Sequence, residues 1–517
     1  MHPLSRDGIP WPFRILPFMT NRYLFRSVFF TLSLFMLSAC EKNKMKEALA
    51  EENLQLEYLG PQVERDLAQI KADGVLRAIS IYNSTSYFLY RGQPMGFEYE
   101  LLVQLAKHLD LELEMVVARN INELFDLLNS GKGDVIAFGL TVTEARKQIV
   151  SFTNHHYATH QSLVQRKPER WRQMPGYKLD QYLTTDVLDL IGDTIHVPYR
   201  SSYYERLKNL QGEIGGEIYL DTNVGKANTD DLIRMVVEGK IKYTAADHNI
   251  AAINQCYFPE LDIDTPLSLS QRIAWAVRKN SPQLLAAMNG WVDKMRGEDL
   301  FYLLYNKYFK NEKSYQRRVN SDFYSRESGK ISPFDSLIQQ NAEKLNWDWR
   351  LLASQIYQES RFDVEASSWA GARGLMQLMP ATARQLGLGD PYNPQENLAA
   401  GTRYLQMLNH SFEEIPDSVQ RIKFVLAAYN CGLGHVRDAQ RLAEAMGKNP
   451  MVWDGQVEIY LRKLALSKYH RHPVVRYGYV RGEEPYAYVR DIFLRYAHYR
   501  QLLPLDSSRF FAGVEPF

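Results

Sequence analysis

The side chains best placed to do chemistry lie between residues 359 and 380. Glu359 ends a segment whose apolar residues repeat with helical spacing, and a Gly-Leu-Met-Gln sequence begins fifteen residues later at Gly374. Leu352 and Ile356 precede Glu359 by seven and three residues, so the carboxylate shares the apolar face of a helix. Burial and the negative end of the helix dipole both favour the neutral carboxylic acid. The spacing therefore predicts a general acid that holds its proton near neutral pH.

The turn at Gly374 supplies groups that suit a polar, ring-shaped substrate. Gly374 lets the backbone approach a sugar closely, since it carries no Cβ. We expect Met376 to line the cleft and Gln377 to hydrogen-bond its occupant. Asp363 is the nearest second carboxylate, and we interpret it as a structural residue at a helix end or in a loop.

Four short sequences follow one another along the C-terminal part of the chain: Glu359-Ser360, Gly374-Leu375-Met376-Gln377, Ala428-Tyr429-Asn430 and Tyr488-Val489. In this order and spacing, residues 333–496 resemble the lytic transglycosylases of the soluble-murein type, relatives of goose-type lysozyme. The resemblance implies that Glu359 is the single catalytic residue. It also implies a set of residues that contact the peptidoglycan substrate or orient the acid: Ser368, Met376, Gln377, Tyr429, Asn430 and Tyr488.

The reaction implied by this resemblance uses Glu359 first as acid and then as base. Glu359 protonates the oxygen that links N-acetylmuramic acid to N-acetylglucosamine, and then deprotonates the muramyl hydroxyl on carbon 6. A 1,6-anhydro ring forms and no water is consumed. Two alternatives remain open: a hydrolase of the same fold, and a sensor whose C-terminal domain only binds glycan. None of these functions implies a cofactor.

Residues 70–310 alternate strand-like and helix-like segments, which indicates an α/β domain with a largely parallel sheet. Through stretches such as GFEYELLVQLAKHL and GKGDVIAFGLTVTEARKQIVSF, this part resembles the periplasmic solute-binding proteins that take up amino acids. The resemblance implies that Arg146, with Thr141 beside it, grips a ligand carboxylate and that Asp247 takes the ligand's ammonium. A guanidinium fork matches a carboxylate bidentately. We expect an amino-acid or muropeptide ligand to close the two lobes and to modulate the enzyme.

Charge and histidine spacing argue against two other classes of site. Lys and Arg number 61 against 60 Asp and Glu, so the chain lacks the basic excess typical of nucleic-acid-binding proteins. His155, His156 and His160 lie close in sequence but lack the spacing of a zinc site, and we predict no metal there.

The N-terminus carries the features of a secretory signal. Arg22 and Arg26 precede a short apolar run that ends in Leu37-Ser38-Ala39-Cys40. The run is too short to span a bilayer, and the last four residues resemble the bacterial lipobox, which implies that Cys40 is lipidated. Glu41 rather than Asp follows Cys40, which favours the periplasmic face of the outer membrane. Met19 fits the start of such a signal better than Met1 does.

The sequence thus predicts a multidomain chain, with an α/β two-lobed periplasmic-binding-protein-like domain followed by a mostly α lysozyme-like domain. The boundaries are a lipoprotein signal peptide at 1–39, a tether at 40–69, the solute-binding domain at 70–310, a polar linker at 311–330, the lytic transglycosylase domain at 331–505 and a tail at 506–517.

Overall fold

Two α/β lobes form the N-terminal part of the protein, and each is built around its own sheet. The structure is a computed structural model that describes residues 63–223, 225, 227–319, 321 and 329–503. In the first lobe the strand order is β4-β1-β5-β13-β6, with β7 also paired to β13. Its strands are β1 Val75–Ile81, β4 Glu112–Ala118, β5 Val135–Thr141, β6 Val150–Phe152, β7 Tyr157–Thr159 and β13 Gln271–Arg278, and a separate hairpin joins β2 Phe88–Tyr90 to β3 Gln93–Met95.

The second lobe has the strand order β10-β9-β11-β8-β12. Its strands are β8 Gln161–Arg166, β9 Thr194–His196, β10 Tyr219–Asp221, β11 Tyr243–Asp247 and β12 Leu261–Asp262. The chain enters this lobe between β7 and β8 and returns to the first lobe between β12 and β13. β1 pairs in parallel with β4 and β5, whereas β13 runs antiparallel to β5. Two crossings between two sheets make a hinged, two-lobed domain, as predicted.

Helices cover these sheets and carry the chain onward. They are α1 Leu67–Asp73, α2 Phe97–Leu109, α3 Ile121–Asn129, α4 Glu144–Ile149, α5 Gly176–Leu179, α6 Ser202–Ile214, α7 Thr229–Val237, α8 His248–Tyr257, α9 Pro282–Met295 and α10 Asp299–Tyr305, with a π-helical turn at Asn306–Lys310 and 3-10 turns at Trp171–Gln173 and Val187–Leu190. The predicted linker differs from a plain polar connection, because α11, Glu312–Val319, forms within it and buries Tyr315. Tyr315 donates to Asn254 Oδ1 at 3.1 Å, which ties α11 to the second lobe.

The C-terminal part is helical, as its sequence pattern predicts. It contains α12 Asp335–Leu345, α13 Trp349–Ser360, α14 Pro380–Gln385, α15 Pro394–Ser411, α16 Ser418–Cys431, α17 Leu433–Ala445, α18 Glu458–Lys463, α19 Ser467–His470 and α20 Glu483–Leu502, with a π-helical turn at Trp453–Val457. The long closing helix α20 packs against both α13 and α16. It therefore reaches the two helices that carry Glu359 and Tyr429.

Helix α20 also docks on the first lobe, within the unit of residues 61–517. Arg490 Nη1 donates to Glu112 Oε1 at 3.3 Å, and Gln501 Nε2 donates to the Met115 carbonyl at 3.1 Å. Tyr499 donates to the Gly92 carbonyl at 2.8 Å, and His498 Nδ1 hydrogen-bonds the phenol of Tyr87. One helix thus contacts both the neighbourhood of Glu359 and the first α/β lobe.

Candidate functional site

Glu359 lies in the last turn of α13, where the predicted apolar face meets the surface. Asp348 caps the start of this helix by accepting from Arg350 N at 2.9 Å. Leu352 and Ile356 are fully buried, and Glu359 follows on the same face with a partly accessible side chain. Arg361 ends the helix in the left-handed conformation at φ 53°. The carboxyl group therefore projects from a buried face without being sealed inside the core.

The environment of Glu359 stabilises its protonated form. Burial raises the pKa of Glu359 from its usual value to about 7, and the hydrogen bond from Tyr488 opposes that rise. The phenol of Tyr488 donates to Glu359 Oε1 at 2.5 Å. A carboxyl with a pKa near neutrality is suited both to giving and to taking a proton.

A rigid turn follows at Gly374, held in place by Asn397. The Asn397 Oδ1 accepts from Met376 N at 2.7 Å, and its Nδ2 donates to the carbonyls of Arg373 and Pro391 at 3.1 and 2.9 Å. Gly374 has φ +76°, and a Cβ there would lie 2.0 Å from the Pro391 carbonyl oxygen. Asn397 was not among the predicted residues, although its place beside Leu398 on the buried face of a helix is a signal for it.

Three residues that were predicted to contact the substrate instead have side chains that bond or pack around the loop in this structure. Met376 is fully buried and packs on Gly401, where a Cβ would come within 2.7 Å of Met376 Cγ. Gln377 donates through Nε2 to the carbonyls of Ala366 and Gly374 at 2.9 and 2.8 Å. Ser368 Oγ accepts from Ala372 N at 3.0 Å. These contacts stabilise the turn itself.

Tyr429 and Asn430 stand at the end of α16, beside the turn. Tyr429 donates to the Met376 carbonyl at 2.7 Å, and its ring lies 5.3 Å from that of Tyr404. Burial, followed by the nearby Glu359 carboxylate, raises the pKa of both Tyr429 and Tyr488. Asn430 is exposed. Glu359, Tyr429 and Tyr488 are thus brought together, with Asn430 at the rim.

Asp363 takes no part in this cluster. Its Oδ1 accepts from Glu365 N at 3.0 Å, the local bond of a turn that follows α13. This geometry agrees with the structural role expected from the sequence.

The predicted ligand residues of the N-terminal domain gather between the two lobes. Arg146 is buried and donates through Nη1 to the Thr141 carbonyl at 3.0 Å. The Thr141 hydroxyl donates to Ser202 Oγ at 3.2 Å, which joins the first lobe to the second. Asp247 is also buried; its burial raises its pKa to about 7, and the positive charge of Arg146 opposes the rise.

Some buried polar atoms at the interlobe cleft have no hydrogen-bond partner in the protein. Within the described residues, Asp247 Oδ1 and both side-chain amide atoms of Asn249 are buried without a hydrogen-bond partner. A buried polar atom without a partner is costly, and a polar ligand would satisfy it. Asn249 is a residue that the sequence did not single out.

Metal-binding clusters and membrane-spanning helices are both absent from the described residues, 63–503 apart from the gaps given above. No group of three or more His, Cys, Asp or Glu side chains there is arranged to hold a metal ion. His156 instead packs on Trp275, with ring centroids 4.5 Å apart. No helix in the same residues is long and apolar enough to cross a bilayer. Cys40 and the predicted signal lie outside the described residues.

Two family models match the two parts of the chain. Residues 336–452 match the transglycosylase SLT domain, and residues 78–311 match the bacterial extracellular solute-binding proteins, family 3. An ancestral arginine-binding protein bound to arginine is similar at 22% identity over 46% of this chain and 98% of that chain, with a TM-score of 0.37.

Two curated relatives span most of the chain, and both are named membrane-bound lytic murein transglycosylase F. The protein from Desulfosudis oleivorans is 35% identical, covering 84% of this chain and 91% of that one. The protein from Aeromonas salmonicida is 34% identical, covering 86% and 85%. With this identity over nearly the full length of its relatives, the chain belongs to the membrane-bound lytic murein transglycosylase F family.

Proposed function

We propose that this family member is a peptidoglycan lytic transglycosylase in which Glu359 is the single acid and base. The observation that carries the proposal is the carboxyl of Glu359, whose pKa is raised to about 7 by burial while Tyr488 donates to its Oε1. At neutral pH a substantial fraction of such carboxyl groups is protonated, and the carboxylate that remains after proton transfer readily accepts a proton.

The reaction proceeds in two proton transfers. Glu359 gives its proton to the oxygen between N-acetylmuramic acid and N-acetylglucosamine, and the bond from carbon 1 of the muramyl unit to that oxygen breaks. Positive charge develops at carbon 1, where the substrate's own N-acetyl group stabilises it. The Glu359 carboxylate then takes the proton of the hydroxyl on carbon 6, whose oxygen bonds to carbon 1. The products are a free N-acetylglucosamine end and a 1,6-anhydro ring.

The other predicted residues have supporting roles in this proposal. Tyr488 fixes the carboxyl group, and Tyr429 and Asn430 contact the sugars from the end of α16. Ser368, Met376 and Gln377 act on the substrate through the turn that they stabilise, since their side chains are engaged within it.

Digestion of purified murein sacculi by the wild-type protein and by Glu359→Gln tests the assignment. We expect anhydromuropeptides from the wild type and a loss of about a thousandfold or more in Glu359→Gln, detected by mass spectrometry. Products heavier by one water would instead indicate a hydrolase. Equal release by both proteins would contradict Glu359 as the acid, and no release by either would favour a glycan-binding sensor. Glu365→Gln, a change at an exposed glutamate outside the site, is the control.

We further propose that the interlobe cleft binds an amino acid or muropeptide and that its occupancy modulates the enzyme. Arg146 and Thr141 would take the ligand carboxylate and Asp247 its ammonium, as in the solute-binding family. Helix α20 supports the coupling, because it contacts the first lobe through Tyr499 and donates to Glu359 through Tyr488.

Modulation is tested by measuring turnover with and without saturating amino acids or soluble muropeptides. A ligand that binds the wild type should change its turnover and should lose both effects in Arg146→Lys, which keeps the charge but not the fork. Binding that leaves turnover unchanged at saturation would contradict the coupling. A basal rate that is unaltered in Arg146→Lys serves as the control for folding.

The domain boundaries and the cellular location complete the proposal. We assign residues 1–39 to a signal peptide, 40–69 to a tether, 70–310 to the binding domain and 331–505 to the catalytic domain. Cys40 is the lipidated residue, and its lipid places the enzyme on the periplasmic face of the outer membrane. Membrane fractionation of wild type and Cys40→Ser tests this: Cys40→Ser should move to the soluble periplasmic fraction, and unchanged fractionation would contradict lipidation.

A further inference from the structure

Two tyrosines stand out on the surface of the loop between α19 and α20. Tyr477 is 64% exposed and Tyr479 is 55% exposed. An aromatic side chain in water forgoes the free energy that its burial would contribute. Exposed aromatics that are held in place at the edge of a cleft are therefore candidates for contact with a ligand.

A buried carboxylate fixes the backbone of this loop. Asp438 of α17 has a fully buried side chain, and it accepts from three successive backbone N–H groups, those of Arg476, Tyr477 and Gly478, at 2.7, 2.6 and 3.1 Å. Arg441 pairs with the same carboxylate and donates through Nε to the Val474 carbonyl at 2.9 Å. A buried charge is costly unless it is this fully bonded. The loop consequently holds Tyr477 in one place.

The ring of Tyr477 lies on the first turn of α17. A Cβ on Gly434 would come 2.6 Å from Tyr477 Cδ1 and 2.7 Å from its Cε1, so only glycine allows this contact. The His435 ring lies beside it, with centroids 6.2 Å apart. Gly434 follows Asn430 by four residues. The first turn of α17, which backs the ring, directly follows the end of α16 that carries Asn430, and the ring is open on its remaining surface.

From this placement we propose that Tyr477 is a sugar-stacking platform that extends the glycan cleft beyond Asn430. Its exposed face packs against the C–H face of a pyranose ring in the same glycan strand, away from the bond that is cut. The inference rests on the proposed function and deepens it by adding a binding position for an N-acetylated amino sugar. Asp438 is a positioning residue for this platform.

Tyr479 offers a matched control on the same loop. Gly478, with φ +83°, separates the two tyrosines. The ring of Tyr479 packs edge-on against His470 of α19, with centroids 5.7 Å apart and planes at 89°. It is thus held by a different helix from the one that carries Tyr477, and the proposal gives it no sugar contact.

Binding of N-acetylglucosamine hexamer to the full-length Glu359→Gln protein, measured by titration calorimetry, tests the platform without turnover. Adding Tyr477→Ala to the Glu359→Gln protein should weaken its affinity for the hexamer about tenfold, which is the effect of losing one stacking contact. Tyr477→Trp should keep the affinity, and Tyr479→Ala should change it by less than about twofold. In proteins with intact Glu359, Tyr477→Ala should raise KM for glycan strands and leave kcat unchanged.

The outcomes separate this inference from the proposed function. Hexamer affinity within twofold of the parent in Tyr477→Ala, with thermal unfolding unchanged, would overturn the platform while leaving Glu359 as the acid. Equal murein turnover by wild type and Glu359→Gln would overturn the proposed function instead. Equal losses in Tyr477→Ala and Tyr479→Ala would also count against the platform, since they would indicate a general effect on the loop.

Discussion

At the scale of single residues, the balance of two opposing influences on Glu359 decides how the site responds to pH. Burial raises the pKa of the carboxyl, and the phenol of Tyr488 lowers it by donating to the charged form. The resulting value of about 7 lies between those of an exposed glutamate and of a fully desolvated one. Tyr488 thus affects both the pKa of Glu359 and the position of its carboxyl group.

Replacing Tyr488 with Phe should shift the pH profile of kcat/KM. The first step needs protonated Glu359, so activity falls as pH rises through its pKa, and removing the phenol raises that pKa. We expect the basic limb, with a wild-type midpoint near pH 7, to move to higher pH in Tyr488→Phe. Rates of anhydromuropeptide release across the pH range measure the shift.

The control for this profile is Tyr404→Phe, because Tyr404 packs on Tyr429 and no described hydrogen bond joins it to Glu359. Its basic limb should stay where it is in the wild type. A limb that stays fixed or moves to lower pH in Tyr488→Phe would contradict the role assigned to the phenol.

Sequence reasoning placed Glu359 correctly on the buried face of its helix, since helical periodicity is a local property that Leu352 and Ile356 reveal. The family resemblance predicted Tyr488 as a sugar contact, and its bond to Glu359 spans 129 positions that no spacing rule connects. Met376 was expected in the cleft, but its side chain packs in the core, where Gly401 leaves space for it. Contacts of this kind depend on tertiary packing, which one sequence does not display.

At the scale of elements, the turn at Gly374 depends on α15 through one side chain. Asn397 is fully buried and satisfies Met376 N together with the carbonyls of Arg373 and Pro391. Asn397 thus joins the turn to the helix through hydrogen bonds to the backbone, much as a neighbouring β-strand would. The α/β and the helical character of the two domains followed from periodicity, and the two lobes followed from the family resemblance, whereas this tie between loop and helix followed from neither.

Asn397→Ala should therefore destabilise the protein and reduce its activity together. Three backbone groups lose their partner in a buried setting, which costs about 3 kcal/mol of unfolding free energy. Urea unfolding measures the loss, and Gln395→Ala, an exposed change on the same helix, should cost less than about 0.5 kcal/mol. Equal stability in the two variants would show that the turn does not need Asn397.

At the scale of the whole molecule, the two functional domains meet where Gly92 touches the catalytic domain. Gly92 lies in the turn of the β2–β3 hairpin, and a Cβ there would come 2.7 Å from the Tyr499 hydroxyl and 2.8 Å from the Phe362 ring. The Gly92 carbonyl also accepts from Tyr499 at 2.8 Å. This close approach makes the domain contact sensitive to a single methyl group.

Gly92→Ala should uncouple the unfolding of the two domains. Gly192→Ala is the matched control, since Gly192 has a similar φ of +84° but open space around it. Both variants incur left-handed backbone strain, and only Gly92→Ala adds a clash between domains. By differential scanning calorimetry we expect two separated transitions in Gly92→Ala and the wild-type pattern in Gly192→Ala. The same trace for both would contradict a tight domain contact.

The position of α20 also sets an order of events as the protein is made. Residues 483–502 are synthesised after the solute-binding lobes, after Glu359 and after Tyr429, and they bring Tyr488 to the acid. A chain that ends before residue 483 therefore lacks the phenol that donates to Glu359. The site around Glu359 is thus complete only when the last helix of the described chain is in place, and the same helix carries the contact to the first lobe.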